Sequence, residues 1–224
     1  MIFFDIDDTL LDHSKSEYLA AKAFYNRYRY EIHISVDKFY MLWNQVSEKY
    51  FDKYLKGDIT FAEQRVERIK EIYTFLGINL SSNDAEIKFR YYLNKYEENW
   101  IAFEDVTPCL NELCGHILGI ISNGDLQQQT LKLKRMGIIN LFSNIITADE
   151  LGVAKPNVKI FEKACLLVNE RPQNCYYIGD NLNTDILPCK EIGIKAIWLN
   201  RRNESSYLSD TTTINSLHHL KYVL

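Results

Sequence analysis

An α/β fold with a parallel sheet and an inserted all-helical segment is the architecture that the sequence predicts. Three observations point to it. Short apolar, β-branched runs of strand length alternate with helical patterns through the second half of the chain, and one more such run opens it at Ile2-Phe3-Phe4. Between that first run and the second lies a long stretch of different texture, rich in Tyr, Lys and Glu and nearly free of Gly and Pro. Strand and helix in alternation lay strands parallel in one sheet with helices on both faces, a three-layer core.

Ile2-Phe3-Phe4 reads as a fully buried strand because its apolar residues are continuous and stop at a cluster of acids. The later strands are read at Ile117 to Ile121, Asn144 to Thr147, Cys175 to Ile178 and Lys195 to Leu199, with helices at Gln128 to Met136 and Val158 to Val168. The insertion carries eleven of the fifteen tyrosines, from Tyr18 to Tyr96. Apolar residues at helical spacing recur there in Tyr18-Ala21-Tyr25-Tyr28, Phe39-Leu42-Trp43-Val46 and Val66-Ile69-Tyr73-Leu76, which predicts several amphipathic helices forming a cap. Residues 1–12 and 104–224 are therefore assigned to the core and 13–103 to the cap, with hinges near Asp12 and at Phe103 to Thr107.

Composition narrows the function classes. A chain of 224 residues with 46% apolar content can bury a substantial core. A net charge of −4 with both signs interspersed offers no basic stripe, so a nucleic-acid polymer is not the expected partner. No window resembles a membrane span or a secretory leader, and a cytoplasmic location is expected, as monomer or dimer. Cys109, Cys114, Cys165, Cys175 and Cys189 form no CxxC pair and have no histidines at ligand spacing, so they read as reduced packing residues and not as a zinc site or disulfide framework. His116, His218 and His219 read as structural or solvated.

Four short motifs each end or follow a predicted strand, and ligands gather at the carboxyl ends of strands in an open parallel sheet. In Asp5-Ile6-Asp7-Asp8-Thr9, Asp5 and Asp7 leave the strand on the same side because side chains alternate. Two crowded carboxylates need a cation between them to stay ionised, and a hard, oxygen-seeking ion such as magnesium suits that task. Asp5 can then act as a nucleophile and Asp7 as an acid and base. An acidic helix cap or a calcium loop is the plainer alternative, but the later glycine and glutamate of a calcium loop are missing. Ser122-Asn123-Gly124 offers a hydroxyl, an amide and a backbone N–H for phosphate oxygens, although the same tripeptide is an ordinary turn. Lys155, fixed ahead of Pro156, which is expected to start the next helix, can neutralise phosphate and Asp5, although lysines before helices are commonly just solvated. Gly179-Asp180-Asn181 and Asp185 supply further carboxylates for the metal, Asp180 directly and Asp185 from an outer shell.

In this order and spacing the four motifs resemble those of the haloacid dehalogenase superfamily, and the resemblance spans the chain. It implies a Rossmann-like core with a C1-type helical cap and magnesium-dependent chemistry on a small phosphorylated metabolite. It also implies Asp5 as nucleophile, Asp7 as acid/base, Ser122 and Lys155 as phosphate holders, and Asp5, the Asp7 carbonyl and Asp180 as metal ligands. An aspartate at position 7 is similar to the superfamily's phosphatases and unlike its true dehalogenases. Gly152 to Asn157 with Lys159-Ile160-Phe161, and Trp198-Leu199-Asn200, resemble the branch containing pyrimidine 5′-nucleotidases. Hydrolysis of a small phosphomonoester through an aspartyl-phosphate is the leading expectation, with nucleoside 5′-monophosphates the first substrates to try. A phosphomutase, a phosphatase of sugar phosphates or phosphoglycolate, and a non-catalytic regulatory member are the alternatives. Selectivity is expected from the cap, where His13, Tyr18, Trp43, Tyr91, Tyr92 and Tyr96 either stack on a substrate or pack helices together.

Overall fold

The structure, a computed structural model, describes residues 1–205 and 210–224. The first strand, β1 (Ile2–Phe4), is buried along its whole length. Four helices follow: α1 (His13–Arg27), α2 (Val36–Leu55), α3 (Phe61–Phe75) and α4 (Ser82–Glu98). The chain then runs through α5 (Val106–Glu112), β2 (Leu118–Ser122), α6 (Leu126–Arg135), β3 (Asn144–Thr147), α7 (Ala148–Leu151) and α8 (Val158–Leu167). It finishes with β4 (Tyr176–Gly179), a π-helical turn (Leu182–Ile186), α9 (Leu187–Glu191), β5 (Lys195–Leu199) and β6 (Thr212–Ile214), with short 3₁₀ turns between.

Among the described residues six strands form one parallel sheet in the order β3-β2-β1-β4-β5-β6. This is the α/β architecture read from the sequence, with β6 added at an edge. The hydrophobic strand β1 occupies the centre because both its faces are covered, as a continuous apolar run requires. Phe3 and Phe4 are fully buried, and Phe3 joins Ile121, Ile160, Phe161 and Tyr177 in the core. The order places the chain reversal between β1 and β4, so that the loops after β1, β2 and β4 open at one edge.

By its contacts the chain divides into Met1–Asp12 with Ile101–Leu224, and His13–Trp100. The second crossing lies at Ile101 and not beyond Phe103, because the Asp12 N–H donates to the Ile101 carbonyl and the Phe103 N–H to the Leu10 carbonyl. Within the helical unit α1 packs on α4, and α3 on both α2 and α4. Ser35, Thr60 and Ser81 cap α2, α3 and α4, and Thr60 with Glu63 forms a reciprocal capping box. The fourth helix presents Ala85, Phe89, Tyr92 and Tyr96 along one buried face. Trp43 is fully buried, with ring centroids 5.2 Å from Phe24 and 4.5 Å from Tyr92, so it packs helices together. Tyr18 is exposed and lies against Tyr40.

All five cysteines are free; four are buried, but Cys114 is exposed and so is not a packing residue. His116, His218 and His219 are exposed. Among the described residues no helix is long and apolar enough to cross a membrane.

Candidate active site

Asp5 sits one residue past β1, its backbone held extended by donating to the Ile178 carbonyl of β4 at 2.9 Å. The chain then coils. The Ile6 carbonyl receives the N–H groups of Thr9, Leu10 and Leu11, and Asp8 adopts a left-handed conformation (φ 56°), which aspartate tolerates better than most residues. This tight loop keeps Asp5 buried and leaves Asp7 partly open.

Lys155 lies on the segment between α7 and α8 and is 4% exposed. Its ammonium is 2.8 Å from Asp5 Oδ1 and 2.6 Å from Asp185 Oδ1, and it donates to the Tyr177 hydroxyl at 2.9 Å. Asn123 fixes the lysine from behind. Its Nδ2 donates to the Lys155 carbonyl and its Oδ1 accepts the Lys155 N–H, at 2.9 and 2.7 Å. The Lys155–Pro156 bond is cis. Pro156 does not start the helix: α8 begins at Val158, capped by the Asn157 side chain.

Asp185 reaches the same point from the π-helical turn that follows β4, a local widening that recurs at functional sites. The Asn181 side chain caps that turn through the N–H groups of Asn183 and Thr184. Asp185 Oδ2 accepts the Asn181 N–H, and a Cβ at Gly179 would lie 2.5 Å from that oxygen, so the glycine is the space the carboxylate occupies. The Tyr177 hydroxyl stands 3.1 Å from both the Ile121 carbonyl and Asp185 Oδ1. Asp180 is touched by the Thr9 hydroxyl at 3.4 Å, and its carbonyl accepts from the Trp198 indole.

Asp5, Asp180 and Asp185 each bring a carboxylate oxygen within 4.8 Å of the others. Asp185, read from sequence as an outer-shell residue, thus lies in the same cluster as the other two. Three carboxylates around one ammonium leave negative charge uncompensated in a buried place. Burial pushes Asp5 up to about 7 despite the opposing pull of Lys155. It pushes Asp180 up to about 8, with the charges of Asp5 and Asp185 adding to it. Burial alone would lower Lys155, yet the charges of Asp185 and Asp5 hold its ammonium above the ordinary lysine value. These are residues that could hold a divalent cation: hard oxygen donors, close together, and short of positive charge.

On the other side, Asp7 meets α6. Lys132 Nζ contacts Asp7 Oδ1 and Oδ2 at 2.6 and 2.9 Å, and Gln129 Nε2 donates to Asp7 Oδ2 at 3.1 Å and to Ser122 Oγ at 2.6 Å. Gly124, expected to lend a backbone N–H, has a second property: a Cβ there would fall 2.5 Å from the Gln129 amide. Ser122 is buried at the end of β2. The sequence reading did not single out Gln129, Lys132 or Tyr177, and took Thr9 only as the last residue of the first motif. Gln129 and Lys132 carried a signal, since the i, i+3 spacing with Leu133 at i+4 puts all three on the inward face of the helix after Ser122-Asn123-Gly124. Tyr177 carried none, being one aromatic in a buried strand.

The sequence model of haloacid dehalogenase-like hydrolases matches residues 1–193. The chain is 30% identical, over 100% of its length and 98% of the relative's, to glyceraldehyde 3-phosphate phosphatase from Methanothermobacter thermautotrophicus. It is 28% identical, over 100% of its length and 96% of the relative's, to the pyrimidine 5′-nucleotidase YjjG from Escherichia coli. A magnesium-bound crystal structure of the HAD-hydrolase YfnB from Bacillus subtilis superposes with a TM-score of 0.80 at 21% identity, covering 100% of this chain and 97% of that one. That last likeness speaks for the fold.

Proposed function

Because this chain belongs to the haloacid dehalogenase-like hydrolase family and is a phosphatase-type hydrolase within it, we propose that it cleaves a small phosphomonoester through an aspartyl-phosphate on Asp5. The observation that carries the reading is the pairing of a buried Asp5 with Lys155 at 2.8 Å, inside a cluster that also holds Asp180 and Asp185. A carboxylate so placed is oriented, partly neutralised and shielded from water, which is what a nucleophile toward a phosphate dianion needs.

Asp5, the main-chain carbonyl of Asp7 and Asp180, with Asp185 beside them, would hold magnesium. Once bound, the cation supplies the positive charge that lets a phosphate dianion approach a carboxylate. Asp5 forms the bond to phosphorus as the ester P–O bond breaks, and Asp7 gives its proton to the departing oxygen. Lys155 and the Ser122 hydroxyl hold the phosphoryl oxygens, and Asn123 keeps Lys155 in place through its main chain. Water then attacks phosphorus, losing a proton to Asp7 and releasing inorganic phosphate and Asp5.

A nucleoside 5′-monophosphate is the substrate we put first, supported by the full-length likeness to a pyrimidine 5′-nucleotidase. A triose phosphate is the second reading, supported by 30% identity to a glyceraldehyde 3-phosphate phosphatase across the chain. The test is phosphate release with magnesium over nucleotides, sugar phosphates and phosphoglycolate, for wild type and Asp5→Asn. The proposal expects one class to stand out and Asp5→Asn to be inactive; equal rates for the two proteins would remove Asp5 from the chemistry.

A further inference from the structure

Helix α6 buries an unusual face. Its inward residues are Gln129, Lys132 and Leu133, so two of three are polar, and Gln129 and Lys132 are 0% and 2% exposed. An enclosed ammonium is costly to desolvate, and apolar residues of similar volume commonly stabilise such a site as well or better. Packing alone therefore does not account for Lys132. Its partner is Asp7, whose two oxygens it contacts at 2.6 and 2.9 Å.

The pair is asymmetric. The Lys132 side chain is 3% exposed, whereas that of Asp7 is 30% exposed, so the lysine grips the carboxylate from inside and leaves its outer side open. Gln129 adds a second hold, spending one N–H on Asp7 Oδ2 and the other on Ser122 Oγ. Contacts to both oxygens stop rotation about the Cβ–Cγ bond. The glycine at position 124 leaves the room that the Gln129 amide needs.

We infer that Lys132 and Gln129 are positioning residues that aim the Asp7 carboxyl at the leaving-group oxygen and tie its placement to that of Ser122. The inference rests on the proposed phosphatase reaction. In that step the Asp5–phosphorus bond forms, the ester P–O bond breaks, and the Asp7 proton passes to the leaving oxygen. Misaiming Asp7 slows formation of the aspartyl-phosphate only for those esters whose leaving group needs the proton, whereas hydrolysis of that intermediate, which also uses Asp7, is slowed alike for every ester. An alkoxide needs the proton; a nitrophenolate leaves readily without it. Correct aim in proton transfer contributes on the order of a hundredfold or more.

The experiment compares the rate of Asp5 phosphorylation in the first turnover, by rapid acid quench, and KM for two probes, p-nitrophenyl phosphate and whichever of a nucleoside 5′-monophosphate or a triose phosphate turns over faster. Wild type, Lys132→Met, Lys132→Arg and Gln129→Leu are measured, with circular dichroism to establish folding. For Lys132→Met the loss in the rate of Asp5 phosphorylation should be at least about tenfold greater for the alkyl ester than for the aryl ester, with KM changed by less than about threefold. Lys132→Arg should recover part of the alkyl activity, and Gln129→Leu should show the same selectivity at smaller size. If Lys132→Met fails to fold, the Gln129→Leu ratio decides. Equal losses of phosphorylation rate on both probes, or an effect confined to KM, would overturn the inference while leaving the phosphatase reading intact. Absence of Asp5-dependent turnover in wild type would instead remove that reading.

Discussion

Removing divalent cations should make this protein's stability fall as pH rises from about 5 to about 8. Asp5 is pushed up to about 7 and Asp180 up to about 8, from an ordinary 3.8. In the unfolded chain both are almost fully ionised above about pH 5, whereas in the metal-free fold both still hold protons there. The folded state thus binds more protons across this window, and stability declines with pH until both folded-state pKa values are passed. Each pKa unit corresponds to about 1.4 kcal/mol. Coupling to Lys155 and relaxation of the interior reduce the sum to a few kcal/mol. For a chain of this size about 1 kcal/mol moves Tm by roughly 2–4 °C, so a drop of roughly 5–10 °C is expected. Magnesium takes the place of the protons and should reverse the drop, by about 2.7 kcal/mol at a hundred times Kd. The assay is thermal unfolding from pH 5 to 8.5, with chelator or with magnesium. Asp180→Asn should raise the metal-free Tm at pH 8 and abolish the magnesium response. A magnesium effect that is absent at pH 8, or larger at pH 5 than at pH 8, would refute the reasoning.

Three further outcomes are expected. Lys155→Met leaves Asp5 and Asp185 facing each other without their ammonium, which should cost about 3–5 kcal/mol of stability and on the order of a hundredfold or more in kcat, read by denaturant unfolding and phosphate release. Gly179→Ala drives a methyl into Asp185 and should weaken magnesium binding roughly tenfold by calorimetry, with a stability loss of about 1–3 kcal/mol. Trp43→Ala opens a cavity among Phe24, Phe39 and Tyr92 and should cost about 3–5 kcal/mol, seen as early loss of helical circular dichroism.

The central strands were legible because a strand buried on both faces must be continuously apolar, as in β1 and β2. The edge strand β6 was not, since only Ile214 of its three residues is buried. Helix α4 could have been read: Ala85, Phe89, Tyr92 and Tyr96 keep helical spacing behind a Ser81 cap, but its tyrosines were weighed singly. The meeting of Asp5, Lys155 and Asp180 followed from a rule about where strands end in a parallel sheet. The places of Lys132, Gln129 and Tyr177 did not, because a lysine or glutamine on a helix usually faces solvent and one buried tyrosine resembles any other. The place of Asp185 in the cluster is not legible in the sequence, because it depends on a π-helical turn whose wider spacing leaves no mark there.

The central claim is that Asp5 becomes covalently phosphorylated. The most direct measurement is acid quenching during turnover, followed by mass spectrometry of the peptide that contains Asp5. One added phosphoryl group on Asp5 in wild type, lost in Asp5→Asn along with turnover, is the predicted result. Steady turnover with that peptide unmodified, and sustained by Asp5→Asn, would contradict the account.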